Sequence, residues 1–243
     1  MIDLHCHILP NIDDGPDSVA AAVAMAKKAV NQGIQHVLCT PHYNDKYHNK
    51  KNEIISAVDE LQFILDDKKI PLKLYEGQEV RIFRELEEAI ARDEILFADV
   101  TDRYLLVEFP SDEIPIYAER LMYDLRVKEI VPIIVHPERN RGFQKDTEAI
   151  YSFLSMGCLA QLTAPSLIGR FGKEVQKLSH HFVANHIVQM IASDAHGINK
   201  RNFYLKEAYQ YVARHFGHDL VHDMKEVSRS IINGDEVSFT PYK

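Results

Sequence analysis

Met1-Ile2-Asp3-Leu4-His5-Cys6-His7 opens the chain, and Ile187-Val188-Gln189-Met190-Ile191-Ala192-Ser193-Asp194-Ala195-His196 answers it near the other end. Each stretch is an apolar run, read as a strand, that ends in two side chains able to hold a metal. The two side chains are spaced one residue apart, and on an extended chain that spacing points both to the same face. Imidazole and carboxylate are usual ligands for divalent ions. Ligands from opposite ends of a chain meet only if the fold closes on itself. The two stretches therefore bear on architecture and chemistry together.

Between them, strand-like and helix-like stretches alternate. Met1–His5, Ile34–Cys39, Leu72–Tyr75 (running on towards Glu79), Tyr104–Phe109, Ile130–Val135, Cys158–Thr163 and Ile187–Ala192 read as strands. Val19, Ala22, Val23, Ala26 and Val30 have helical spacing behind a possible Ser18 cap, with Gly33 as a stop. Ile54, Val58, Leu61 and Leu65 mark the next helix; Phe83–Ala91, a segment opened by Pro115, Thr147–Leu154 and Phe171–Ala184 follow. Two more helices close the chain. Pro132 suggests that the fifth strand pairs fully only beyond it. About seven strand–helix units running one way imply an α/β fold with parallel strands, arranged as a closed or nearly closed barrel. No linker rich in Pro, Gly or Ser divides the 243 residues, so a single domain over 1–243 is expected.

Composition narrows the function. A formal charge of −8 with no basic stripe disfavours a nucleic-acid partner. Cys6, Cys39 and Cys158 are too few and scattered for a disulfide framework, and suggest a reducing compartment. None has an arginine six positions later, so the Cys-x5-Arg loop of cysteine-dependent phosphatases is absent. No signal peptide and no run long enough to span or insert into a membrane is read, and a cytoplasmic location is expected.

The polar residues fall where parallel barrels keep their chemistry, at the carboxyl ends of strands. His5 and His7 follow the first strand, His42 the second, Glu79 the third; Glu108 ends the fourth, His136 follows the fifth, and Asp194 and His196 follow the seventh. Singly, Glu108 could be half of a buried ion pair, and His42 or His136 a satisfied core histidine. Jointly, burying so many ionisable groups around one mouth is costly unless they are paired or bind metal. Asp3 reads either as a partner orienting an imidazole or as a plain buried acceptor. His180, His181, His186, His218 and His222 read as solvent-facing; the last two have i, i+4 spacing but lack the nearby glutamate of the zinc-protease pattern.

Together, Met1–Pro10, Asp13-Asp14-Gly15, Thr40-Pro41-His42, Gly77-Gln78-Glu79, Leu106-Val107-Glu108-Phe109-Pro110, His136-Pro137-Glu138-Arg139-Asn140 and Ala192-Ser193-Asp194-Ala195-His196 resemble the polymerase-and-histidinol-phosphatase (PHP) family. The resemblance is closest to its bacterial manganese-dependent protein-tyrosine phosphatases from capsule and exopolysaccharide loci. It implies a distorted seven-stranded (β/α) TIM-like barrel of PHP type holding three divalent metal ions. Manganese is favoured, and the mixed N/O ligands also admit iron, zinc or cobalt. By the family pattern, His5, His7, Glu79 and Asp194 hold one ion. Glu79 bridges to a second, shared with Glu108 and His136. Asp14, His42 and His196 hold the third; spacing alone leaves Asp13 and Asp14 equivalent. Arg139 and Arg201 match arginines that hold substrate phosphate, although each alone reads as a surface salt bridge. His42 or His196 could assist the leaving group. The implied reaction is hydrolysis of phosphotyrosine by a hydroxide bridging the metals, with no covalent phosphoenzyme. The implied substrate is a phosphotyrosyl protein, a membrane-associated bacterial tyrosine autokinase. The alternative is a small-molecule phosphomonoesterase of the histidinol-phosphatase type. A metal-dependent amidohydrolase would usually carry lysine or histidine where this chain has Glu108. Oligomeric state is not legible.

Overall fold

The computed structural model describes residues 1–199 and 201–237. In chain order the elements are β1 (Ile2–Cys6), α1 (Val19–Asn31), β2 (His36–Cys39), β3 (His42–Tyr43), α2 (Lys51–Asp67), β4 (Lys73–Glu76), β5 (Glu79–Arg81), α3 (Leu86–Ala91), β6 (Tyr104–Glu108), α4 (Ala118–Val127) and β7 (Val131–Val135). A 3-10 turn (Pro137–Arg139) leads to α5 (Arg141–Lys145), α6 (Ala149–Ser155), β8 (Leu159–Thr163), α7 (Ala164–Leu167), α8 (Lys173–Ala184), β9 (Met190–Ala192), α9 (Leu205–Phe216) and α10 (His218–Asn233).

Every pair of neighbouring strands is parallel, and the strands form two sheets, β1-β2-β4 and β3-β5-β6-β7-β8-β9. The architecture is therefore α/β with parallel sheets. The second and third expected strands are each bent into two pieces. Pro41, which has no N–H to give a ladder, separates β2 from β3, and Gly77-Gln78 separates β4 from β5. Hydrogen bonds cross the bend: Thr40 N–H donates to Cys6 O (3.0 Å) and Glu79 N–H to Pro41 O (3.1 Å). Between β1 and the segment after β9, Asp194 N–H donates to His5 O and His7 N–H to Ala195 O, both at 2.9 Å. The first strand and the segment that follows the last thus lie side by side.

The expectation for Pro132 holds, and several others are corrected. Pro132 sits inside β7 opposite Leu105 on the β6 side, and pairing on both sides begins at Ile133. Val131 N–H points to the β6 side, donating to Arg103 O, so the missing N–H of Pro132 faces the other side, where β8 pairs only from Leu159 onwards. The seventh strand is short, Met190–Ala192, and Asp194 lies beyond it at φ 51°, not on extended backbone. Helices α5 and α7 were not read from periodicity; each is too short for an apolar stripe. Asn140 caps α5 by accepting from Phe143 N–H. Helix α8 starts at Lys173, after Gly172.

A bulge in β1 aims the first histidines. Asp3 pairs with Val37 but Cys6 with Cys39, so one extra residue is accommodated between them. Such a bulge turns successive side chains off strict alternation. Leu4 joins the smaller apolar cluster with Leu38, Tyr104, Leu106, Ile133, Val135, Leu159 and Met190, while His5 reaches the polar cage. Asp3 accepts from Ser193 N–H at 2.8 Å and meets His5 through that residue's backbone, the plain-acceptor alternative. The larger cluster packs the helices on the strands, with Ile54, Val58, Leu61 and Leu65 of α2 all buried. Each such side chain contributes about 1.5–3 kcal/mol relative to exposure.

Candidate metal centre

Alternation carries the chain from apolar floor to polar cage. Tyr104, Leu106 and Glu108 share a face of β6, and Leu159 and Gln161 share one of β8. The first two and Leu159 are apolar floor; Glu108 and Gln161 lie above it.

Three sets of candidate ligand atoms each lie within 4.8 Å of one another: His5, His7, Glu79 and Asp194; His7, Asp14, His42 and His196; and His42, Glu79 and Glu108. His7, His42 and Glu79 each belong to two sets, so the sets are contiguous. His136 falls outside all three; its Nε2 faces Glu79 Oε1 at 2.7 Å. In the second group implied by resemblance, His42 thus joins Glu79 and Glu108 on one side, and His136 meets Glu79 through its other carboxylate oxygen. His5, Glu79 and Asp194 are at most 2% exposed, whereas Asp14 is exposed at the rim.

The arrangement fits divalent cations on two observations. First, Glu79 Oε2, His42 Nδ1 and His196 Nε2 are buried without a hydrogen-bond partner. Yet His42 Nδ1 is 3.0 Å from Glu79 Oε2, and His196 Nε2 is 3.1 Å from Asp14 Oδ1. These atoms approach closely without a hydrogen bond between them, as ligand atoms gathered for a shared cation do. Second, the outer ring atoms are tied. His5 Nδ1–H donates to Gln161 Oε1 (2.8 Å) and His7 Nδ1–H to Asp13 Oδ2 (2.7 Å), which leaves each Nε2 directed inward. The two Nε2 atoms are 3.2 Å apart.

Asp13 and Asp14 therefore separate by role. Asp13 holds His7 and also accepts from the backbone N–H groups of Gly15 and His42. Asp14 faces His42 and His196. Gly15 permits the turn: a Cβ there would lie 2.3 Å from His7 O.

Without a cation the electrostatics are divided. Burial, followed by repulsion from the Arg139 guanidinium, lowers His136 to about 4; burial followed by repulsion from His7 lowers His196 to about 4. Burial opposes the charged form of His42 and His7 as well, but carboxylates outweigh it. Glu79 and Asp14 raise His42 to about 9, and Asp13, Asp194 and Glu79 hold His7 well above its usual range. Burial and the neighbouring Glu79 raise Glu108. Burial alone would raise Glu79 and Asp194 too, yet histidines hold Glu79 low, and Arg139 and Arg201 hold Asp194 low.

Arg139 and Arg201 reach the same carboxylate from different loops, at 2.7 Å and 3.0 Å from Asp194 Oδ2. Arg201 also contacts Asp14 Oδ2 at 3.2 Å. Both sit at the cage mouth instead of in isolated surface pairs. Sequence reasoning missed Arg81, whose Nε and Nη2 both contact Glu108 Oε2 at 2.9 Å. It also missed Gln161. The available signals were position: Arg81 lies two residues beyond Glu79 on the same strand face, and Gln161 is an amide in the middle of an apolar strand. Cys6 is fully buried, and burial raises its thiol well above the usual value. His181, His186, His218 and His222 are exposed and His180 half-buried, on α8, α10 and the α8–β9 loop.

The family model for capsular polysaccharide synthesis, CpsB/CapC, matches residues 1–232. The tyrosine-protein phosphatase YwqE of Bacillus subtilis (strain 168) is 38% identical over 242 residues, which span 99% of this chain and 95% of YwqE. The tyrosine-protein phosphatase CpsB of Streptococcus pneumoniae is 25% identical over 223 residues, spanning 89% of this chain and 91% of CpsB. A chain from the crystal structures of YwqE and CpsB, described there as unique metal-dependent tyrosine phosphatases, superposes with a TM-score of 0.95 at 38% identity. That superposition covers 99% of this chain and 98% of the other.

Proposed function

This chain belongs to the capsular polysaccharide synthesis CpsB/CapC family, and from that membership we infer that it is a metal-dependent tyrosine-protein phosphatase. The observation that carries the reading is the convergence of three contiguous ligand sets beside two arginines. We read the two sheets as one distorted seven-stranded barrel of PHP type, bent at Thr40-Pro41 and Gly77-Gln78, within a single domain.

His5, His7, Glu79 and Asp194 would hold one cation, and Asp14, His42 and His196 another. Glu79 and Glu108 would share a third, with His136 on the Glu79 side. Mixed imidazole and carboxylate ligands without thiolate suit manganese, our favoured ion. Such cations, when bound, lower the pKa of water and polarise phosphoryl oxygens. The chain's own groups do the rest. Arg139 and Arg201 are fixed by Asp194 at the mouth, where two planar guanidinium groups complement a phosphate dianion and its in-line transition state. Arg81 holds Glu108 in place. Tyrosine is a modest leaving group, since its phenol pKa is about 10, so little acid assistance is needed. That eases the conflict between His42 as ligand and as proton donor, and we assign it the ligand role. With Cys6 protonated and buried, no side chain needs to be phosphorylated.

The substrate is a phosphotyrosyl protein. The capsule context of the family favours a membrane-associated tyrosine kinase as that protein, met from the cytoplasm. Among the described residues no helix is long and apolar enough to cross a membrane.

The test is phosphate release from a phosphotyrosyl peptide. Activity should vanish on chelation and return with manganese, and Glu79→Gln should abolish it in folded protein. Full activity in chelated protein would sink the reading.

A further inference from the structure

The loop between α7 and α8 sets an aromatic ring beside one of the phosphate-holding arginines. Gly169 and Gly172 lie at φ 80° and 96°, conformations that favour glycine, and the turn they make presents Arg170 and Phe171. Arg170 Cζ lies 4.8 Å from the centre of the Tyr204 ring. Arg139 Cζ lies 5.3 Å from the centre of the Phe171 ring. Phe171 is nonetheless 36% exposed. An apolar ring left open to water at the rim of a polar cage is unexplained by packing, because the larger apolar cluster does not include it.

We propose that Phe171 is a specificity-determining residue, packing against the phenyl ring of phosphotyrosine while Arg139 holds the phosphate. The inference rests on the phosphatase reading above and adds the part of the substrate that is recognised. In phosphotyrosine a single ester oxygen separates phosphorus from the ring. A phosphate held by Arg139 therefore brings that ring alongside Phe171, whose face is already against the same guanidinium. Aromatic pairs prefer centroid separations of about 4.5–7 Å and contribute about 0.5–1.5 kcal/mol beyond area burial, or roughly two- to twelvefold. An alkyl phosphate such as phosphoserine has no ring to place there.

The experiment compares kcat/KM of manganese-loaded wild type, Phe171→Ala and Phe171→Trp on a phosphotyrosyl peptide and on its phosphoseryl counterpart, with inorganic phosphate as inhibitor. The aryl-to-alkyl ratio should fall about three- to tenfold in Phe171→Ala, mainly through KM, and recover in Phe171→Trp. An unchanged ratio overturns the proposal. Equal losses on both peptides, with weaker inhibition by phosphate, would mean that Phe171 only props Arg139, and would overturn it equally. Wild-type protein that hydrolyses neither peptide brings down the phosphatase reading and this inference with it, which separates the two failures.

Discussion

Asp13 and Asp14 are adjacent and chemically alike, yet one ties His7 from behind and the other faces the cage. Partners behind metal ligands typically set affinity by about 10- to 100-fold. Asp13→Ala should therefore weaken manganese binding by about that factor, and Gln161→Leu, which frees His5, should do the same. Calorimetric titration of metal into chelator-treated protein would check both; wild-type affinity in either variant would remove that residue from support of the cage. Cys6 offers the opposite case. It stands between two histidines of the cage, but its thiol is buried and its proton held tightly. Cys6→Ser should keep kcat/KM within about twofold, a change of roughly 0.4 kcal/mol in barrier. A folded, metal-loaded Cys6→Ser protein without activity would restore a nucleophilic cysteine.

The segment between β1 and α1 shows how a loop can be more demanding than a helix. Asp13 and Asp14 reach opposite targets only because Gly15 lets the backbone pass close to His7 O. A methyl group there, 2.3 Å from that oxygen, forces the turn outward. Gly15→Ala should cost about 1–3 kcal/mol of stability from overpacking and lower kcat/KM at least tenfold through displaced Asp14. Thermal denaturation and steady-state kinetics at saturating manganese would read the two effects, and unchanged kinetics would show that the turn tolerates a side chain. Elements with a repeating burial pattern, such as α1, α2 and β6, were legible because periodicity in sequence is periodicity in space. The bulge in β1, the bends at Pro41 and Gly77, and the short helices α5 and α7 were not, because each is fixed by one or two contacts rather than by a period. Positions along strands placed most of the cage. The division between Asp13 and Asp14, and the supports from Arg81 and Gln161, depend on where side chains turn after the strand ends, which spacing does not encode.

Across the whole molecule, the first and last strands must lie together for the cage to exist, so metal binding and folding are linked. Ligand at a hundredfold over its Kd stabilises by about 2.7 kcal/mol, which for a chain of this length raises Tm by about 5–10 °C. The linkage extends to protons. A metal-binding imidazole must give up its proton at the ligating nitrogen. In the metal-free protein His136 and His196, each near 4, are already neutral at pH 7, whereas His42 near 9 and His7 above its usual range are charged. Manganese binding at pH 7 should therefore release at least about two protons, from His42 and His7, with none from His136 and His196 and any further ones from cation-bound water. Glu108, raised by burial and Glu79, can only add to that number. The sign follows. A histidine raised in the folded, metal-free state stabilises that state below its unfolded pKa and loses the contribution as pH rises through about 9 for His42. Cation binding competes with those protons, so affinity should climb as pH rises from 7 through about 9, where His42 gives up its proton. Calorimetry at pH 7 in buffers of different ionisation enthalpy gives the proton count directly. A release near zero would mean that His7 and His42 are neutral before the cation arrives, and would overturn the charge assignment.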